Sequence, residues 1–413
     1  MSSKDLGISL VPVASSLHDP ASSEEVLSTY RKWLGRMCDT ESPLATSPED
    51  IRKSGLERTT GILVLVITGG TEQILGAVAE LGRPFLVISH KTLNSLPAAL
   101  EGMSSLSGTG AKLVFGRGKK QLSVVRGFTR AANALMRIGN HRIGLVGGPS
   151  SWLTYSLPDT ESLADRLGVK VVDIPMQEFK EAYSAISGPA AQVVQRGRVA
   201  SEVTESDLEK SGAIYLALRT IYDRYNLTSV SPRCFDFIKE FGATGCLALS
   251  RLNDEGVVAG CEGDIPSTVG MITLAEISGK PTFMGNPSFI EGHRLILAHC
   301  TVATKLTRGV RYRSHFESGI GVALAGQLRE GARVTVARYG KGYGLLRAGA
   351  GNIFRGRPWT DDLCRTQVEV RMDGKADVLL ERPIGNHHVM TYGDHVDSLR
   401  QLASMAGMEF EEI

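Results

Sequence analysis

Along the first two-thirds of the chain, short apolar, β-branched runs alternate with longer stretches whose apolar positions recur every three or four residues. The short runs predict strands at 7–13, 62–67, 85–89, 112–115, 142–146, 169–174, 246–250 and 257–261. Between them the spacing predicts helices over 22–37, 71–81, 124–138, 159–167, 205–225 and 266–277, with acidic or Ser/Thr starts and glycine ends. Strands that are apolar on both faces and separated by helices belong to parallel sheets covered on both sides. So much α/β sequence exceeds one unit, so two doubly wound parallel-sheet domains are expected, 1–140 and 141–290, with the basic stretch 117–130 as a seam. After residue 290 the pattern changes. Strands are predicted at 320–324, 333–338, 343–347 and 367–371, joined by Gly-rich turns without helical spacers. That pattern describes an antiparallel sheet or small barrel, a β-rich domain over 291–413. A helix over 394–405 closes it, with Val396, Leu399, Leu402 and Met405 on one face.

Charge and composition narrow the function classes. Over 413 residues, 46 Lys and Arg stand against 44 Asp and Glu, a formal charge of +2. A balance this even leaves no electrostatic footprint for nucleic acid and no polybasic membrane surface. No apolar run approaches the roughly 18–20 residues of a membrane span, and the N-terminal stretch reads as a first strand rather than a signal peptide. The six cysteines are scattered without a CxxC pair, which points to reduced thiols and a cytoplasmic protein.

Chemistry-bearing residues gather toward the C-terminal half. Six of the nine histidines (His293, His299, His315, His387, His388 and His395) lie in the last third. Just before them, Cys261-Glu262-Gly263-Asp264 follows an apolar run, at the strand end where open α/β sheets keep their ligand crevice. Carboxylates and imidazoles converging there suit a hard-to-borderline divalent metal, although a carboxylate in this place also serves as a helix cap. Gly69-Gly70-Thr71 and Gly147-Gly148-Pro149-Ser150 each follow a strand and read as tight turns before they read as phosphate cradles. Arg117, Lys119, Lys120, Arg126 and Arg130 read as a solvated helix face, and Cys261 and Cys300 as small buried hydrophobes. The doubled His387-His388 serves no packing purpose and stands out.

Several segments together resemble the L-fucose isomerase and L-arabinose isomerase family, in its shorter fucose-isomerase-like branch. GNHHVMTYGDHVDSLRQLASMAGMEF looks like the loop and closing helix that carry the family's metal-binding histidine. CEGDIPSTVGMITLAEISGKPTFMGNP looks like the segment carrying its catalytic, metal-binding glutamate, and LAHCTVA and SHFESGIGVALAGQL also have counterparts. The match runs from Arg233 to Phe410 and fades to general α/β pattern in the first 140 residues.

Carried over by position, the resemblance implies that Glu262 binds the metal and moves the proton, and that His387 binds the metal. It places Asn386 and His388 beside the substrate, although the arabinose branch also doubles this histidine and either His387 or His388 could ligate, with His315 matching an additional histidine of that branch. The family's second acidic ligand falls on Asn286, a departure, because an amide coordinates through oxygen but takes no proton. Asp264 or a metal-bound water is then the candidate for the second proton carrier.

The implied function is a metal-dependent aldose–ketose isomerase, an intramolecular oxidoreductase working through a cis-enediolate with Mn²⁺ or another divalent cation. Its partner is a small-molecule sugar, with no nucleic acid and no membrane, and the expected state is a homo-oligomer, a trimer or hexamer. Its crevice is expected between the α/β part and the β-rich domain, and His387 is expected to matter more to the metal than His299. The rivals are a lyase or epimerase on the same fold and a non-catalytic sugar-binding or regulatory protein.

Overall fold

The strand Gly61–Val66 is aliphatic from Ile62 onward, and in the computed structural model each of its faces has its own core. Ile62, Val64 and Val66 pack with Ile74, Leu75 and Val78, while Leu63 and Leu65 pack with Leu27, Tyr30, Leu34 and Phe128. This two-sided burial is what an all-parallel sheet demands. Thr40–Glu41, Ile8–Val13, Gly61–Val66, Phe85–Ser89 and Lys112–Phe115 lie side by side in that order, every pair parallel. The structure describes residues 7–413 except 107, 109, 195 and 196.

Two compact units divide the chain. The first takes the residues up to Met136 together with Asp397–Gly407, so most of the helix Val396–Met405 belongs to the N-terminal sheet's unit. Ser404 Oγ donates to Gly110 O at 3.1 Å, and Met405 packs against the core built on Leu63 and Leu65.

The second unit, Arg137–Val396 with Met408–Ile413, holds both the expected middle α/β stretch and the β-rich stretch. Its parallel sheet runs Val258–Ala259, Ser229–Pro232, Arg142–Val146, Lys170–Ile174. Six antiparallel strands then close into a barrel: Arg333–Tyr339, His388–Tyr392, Phe283–Glu291, Arg294–His299, Thr366–Met372, Leu345–Arg355 and back to the first. Closure through the pairing of Arg333–Tyr339 with Leu345–Arg355 leaves no open edge in that ring. The expected fold class, parallel α/β sheets followed by a β-rich barrel, is therefore the observed one. A separate three-stranded sheet sets Ala323–Leu328, Thr307–Arg313 and Arg198–Val199 side by side.

The helix Ile265–Ser278 ties the parallel sheet to the barrel. Most of its residues are buried, which its apolar and small side chains up to Ala275 permit. Gly270 sits against Val389, and Thr273 Oγ1 lies 3.0 Å from the Tyr339 hydroxyl. A methyl at position 270 would come within 3.0 Å of Val389, so glycine sets this approach.

Residues 246–250, expected as a strand, form the first half of the helix Cys246–Glu255. A five-residue apolar run carries no period of its own; the residues after it, buried through Leu252 and Asn253 and stopped by Gly256 in the left-handed region, make it helical. The expected strand at 257–261 shortens to Val258–Ala259, because the chain turns at Gly260. No helix among the described residues is long and apolar enough to cross a membrane.

Candidate metal centre

The parallel pairing of Val258–Ala259 with Ser229–Pro232 fixes where the acidic turn begins. Gly260 N donates to Val230 O at 2.9 Å and Gly263 N to Pro232 O at 3.0 Å, pinning the turn at both ends. Between them Glu262 takes a left-handed backbone, φ +63°, followed by Gly263 at φ +67°. A glutamate in that region costs on the order of 1 kcal/mol or more, and such strain persists only where surroundings enforce it.

The surroundings are the Gly147-Gly148-Pro149-Ser150 turn. Ser150 N donates to Glu262 O at 2.9 Å, and a Cβ at position 263 would sit 2.5 Å from Gly148 O. Trp152, just beyond, donates its indole N–H to Glu262 Oε2 at 2.7 Å, and its ring packs edge-on against Phe235. The glycine turn thus buttresses the glutamate.

Asp264 caps the helix Ile265–Ser278, its Oδ1 accepting from Ser267 N at 2.8 Å. Its Oδ2 lies 2.9 Å from His387 Nδ1 and 3.9 Å from Arg338 Nη1. Arg338 is itself buried, donating to Ile384 O, His387 O, Ser156 Oγ (2.6 Å) and Ser267 Oγ (2.8 Å). A buried cation with its donors satisfied and a carboxylate nearby is tolerable; it also holds the His387 backbone in place.

With Nδ1 occupied by Asp264, His387 presents Nε2 to Glu262, 3.4 Å from Oε1. That nitrogen is fully buried and has no hydrogen-bond partner. His299, at the end of the barrel strand Arg294–His299, completes the group: its ring centroid lies 5.5 Å from that of His387. One ligand atom each from Glu262, His299 and His387 lie within 4.8 Å of one another, and all three residues are buried. An orphaned buried imidazole nitrogen beside a carboxylate and a second imidazole fits a divalent ion. A carboxylate on the far ring nitrogen is the usual orienting partner of a metal-binding histidine.

Electrostatics agree. Burial pushes both carboxyls up, but His387 outweighs it, aided by His299 and Trp152 at Glu262 and by Arg338 and Ser267 at Asp264, so both stay below their ordinary values. Burial pushes His387 down, yet Asp264 and Glu262 hold it up at about 9. Burial, with the His387 charge beside it, lowers His299 to about 4. The enclosed space here is about 40 Å³, lined by Glu262, His299, Asn286, His315, Phe235 and Glu317 among others. That is room for an ion and a water, far below the roughly 300 Å³ or more of a whole-ligand site.

The other expected residues divide between this cavity and its surroundings. Asn286 lines it, and its Oδ1 accepts from Asn386 Nδ2 at 3.2 Å. His315 lines it too, with Nδ1 3.1 Å from Ser318 Oγ. His388 is buried but does not line it; Nδ1 lies 3.0 Å from Asn386 O, and burial together with Arg338 pushes it down to about 3. Neither Asp264, both of its oxygens engaged with the helix end and His387, nor His387 itself lines it. Three participants were not among the expected site residues: His299, Trp152 and Arg338. Only His299 carried a signal, inside LAHCTVA.

No protein-family model matches the chain. Among curated proteins it is similar to sulfoquinovose isomerase of Clostridium sp. (strain MSTE9), 27% identical over 343 residues, covering 77% of this chain and 76% of the relative. It is 24% identical over 305 residues to sulfoquinovose isomerase of Alkalicoccus urumqiensis, covering 69% and 67%. To that of Priestia megaterium (strain ATCC 12872 / QMB1551) it is 25% identical over 309 residues, covering 70% and 67%.

Proposed function

We propose that this protein is a divalent-metal-dependent aldose–ketose isomerase acting on sulfoquinovose or a closely related sugar. The observation that carries the reading is the convergence of Glu262, His299 and His387, with the buried Nε2 of His387 making no hydrogen bond and lying 3.4 Å from Glu262 Oε1. The relatives' name supplies the reaction class and the sugar.

Glu262, His299 and His387 would hold the ion, with the Asn286 oxygen at the cavity wall as a further donor. When bound, the ion supplies Lewis-acid polarisation of the substrate oxygens on the two reacting carbons. The remaining work falls to the chain. Trp152 donates to Glu262 Oε2 while Oε1 faces His387 Nε2, so the carboxylate is held in one orientation. Glu262 stays ionised beside the two imidazoles and takes the proton from C2 of the open-chain sugar. Returned to C1 on the same face of a cis-enediolate, while the O2 hydroxyl proton passes to O1, that proton completes the isomerisation, so one carboxylate serves both carbons. Asn286 therefore need not act as a base. Asp264 acts by orienting His387, as a positioning residue.

The test is the metal content of purified protein after Mn²⁺ loading and desalting, followed by solvent-deuterium uptake at C2 of sulfoquinovose. Wild type is expected to retain near-stoichiometric metal and to exchange the C2 proton; His299→Ala and His387→Ala each lose most of the metal. A His299→Ala variant with wild-type metal content removes His299 from the ligand set. Metal-loaded wild type that forms no ketose from sulfoquinovose or other aldoses overturns the isomerase reading.

A further inference from the structure

Away from the metal cavity, and sharing no residue with it, a groove of about 770 Å³ runs over the three-stranded sheet of the second unit. Parallel pairing sets Arg311 directly beside Arg198, so the two guanidinium groups leave the same face of the sheet. Like charges opposed across a strand pair oppose folding and call for a compensating carboxylate. None is bonded here: among the described residues Arg198, Arg311 and the neighbouring Arg308 have no ion-pair partner, and all three are exposed.

The same face two residues further on shows the contrast. Arg313 takes a hydrogen bond acceptor from each side, Glu202 and Asp361, the latter at 3.0 Å. Glu202 also feels the charge of Arg311, but its carboxylate is bonded to Arg313. Local carboxylates neutralise one arginine of the strand and leave the cross-strand pair open.

The wall beneath that pair is built from small residues. Gly309 and Ala325 line the groove beside the arginines, and a Cβ at position 309 would meet nothing within 4 Å. Gln327, opposite Gly309 in register, adds an exposed amide to the same groove. The result is a concave site with two forked cations, a third at its edge, an amide and open space between them.

We infer that Arg198 and Arg311 form a second ligand site, one that binds a small organic molecule through a phosphate or sulfonate group. The planar five-donor fork of arginine matches tetrahedral oxyanions, and two forks side by side supply the charge and the hydrogen bonds such a group needs. The groove's volume lies in the range of small-molecule sites, well above what the oxyanion alone would fill. The rest of the ligand lies over Gly309 and Ala325.

The experiment is calorimetric titration of the full chain with inorganic phosphate and, separately, with methanesulfonate. Wild type is expected to bind at a single saturable site. Arg198→Gln and Arg311→Gln each weaken that binding about tenfold, the loss of one charged hydrogen-bonding partner. Arg357→Gln, which alters an exposed arginine outside the groove, leaves it unchanged. Phosphate binding alone identifies a phosphate ester as the ligand, methanesulfonate binding alone a sulfonate, and competition between them the shared oxyanion chemistry. Equal binding in all three variants, or no saturable binding by wild type, overturns the site. Titrating metal-free and Mn²⁺-loaded protein alike keeps the result separate from the metal-centre reading.

Discussion

Two turns occupy the same structural position, one in each unit. In the first unit the strand Gly61–Val66 leads through Gly69, Gly70 and Thr71 into the helix Glu72–Glu80. In the second the strand Val258–Ala259 leads through Gly260, Glu262 and Gly263 to Asp264 and the helix Ile265–Ser278. Both are strand–turn–helix corners at the C-terminal end of a parallel sheet. At the first, the threonine hydroxyls are spent on backbone: Thr68 Oγ1 accepts from Ser15 N, and Thr71 Oγ1 donates to Thr68 O. At the second, the two carboxylates reach outward, to Trp152, His387 and the helix end. The sheet supplies the position, and the residues set into the turn decide whether it carries chemistry.

The sharpest way to break this comparison is Glu262→Gln. Turnover is expected to fall by about 10²–10⁴-fold, the worth of a positioned base, with the melting temperature nearly kept. Wild-type turnover in that variant would return the acidic turn to the structural class of the first. Next in size comes Asp264→Asn, which keeps an acceptor for the helix end but removes the charge from His387 Nδ1. Metal affinity is expected to fall by about 10–100-fold, read by competition with a fluorescent chelator. An unchanged affinity would mean that the carboxylate only caps.

A smaller effect separates the turns by pH in the metal-free protein. His387 is held at about 9, above its ordinary 6.5, so the stability it contributes is complete below that ordinary value and is lost as pH rises through about 9. Glu262 and Asp264 are held low, so their contribution is present at neutral pH and lost in acid. The metal-free melting temperature is therefore expected to fall between pH 7.5 and 9.5. With saturating Mn²⁺ the slope reverses, because the ion displaces the His387 proton and binds more tightly as pH rises. A slope that ignores the metal would detach His387 from the ion. Smallest of all is Thr71→Ala in the first unit, which costs about 1 kcal/mol of stability and leaves metal content and turnover alone.

Legibility followed the same divide. The parallel strands at 62–67, 85–89, 112–115 and 142–146 were readable because burial on both faces leaves an unbroken aliphatic run. The barrel strands Phe283–Glu291 and Arg294–His299 were not, since Gly285, Pro287 and Gly292 interrupt them and the hairpin makes up the loss through pairing across the barrel. Missing that hairpin also hid His299, whose position at the cavity follows from its place at the end of the second strand. Glu262 and His387, which the resemblance picked out, come together in the structure, whereas the surroundings of Asp264 were not legible. A residue read as a proton carrier turned out to face His387 and Arg338, a placement that depends on a helix cap and on a strand more than 70 residues away. Of the doubled histidine, the structure turns His387 toward Glu262 and His388 to the other side of the strand.

The placement of the last helix has a consequence for synthesis. Residues 397–407 complete the unit that the chain begins building at its N-terminus, and Met405 fills part of the core beneath Leu63 and Leu65. On the ribosome, the N-terminal sheet is finished long before that helix exists. At about 5–20 residues per second, roughly 15–50 s separate the two. Throughout that interval the nascent sheet carries an uncovered apolar patch, the kind of surface that chaperones hold.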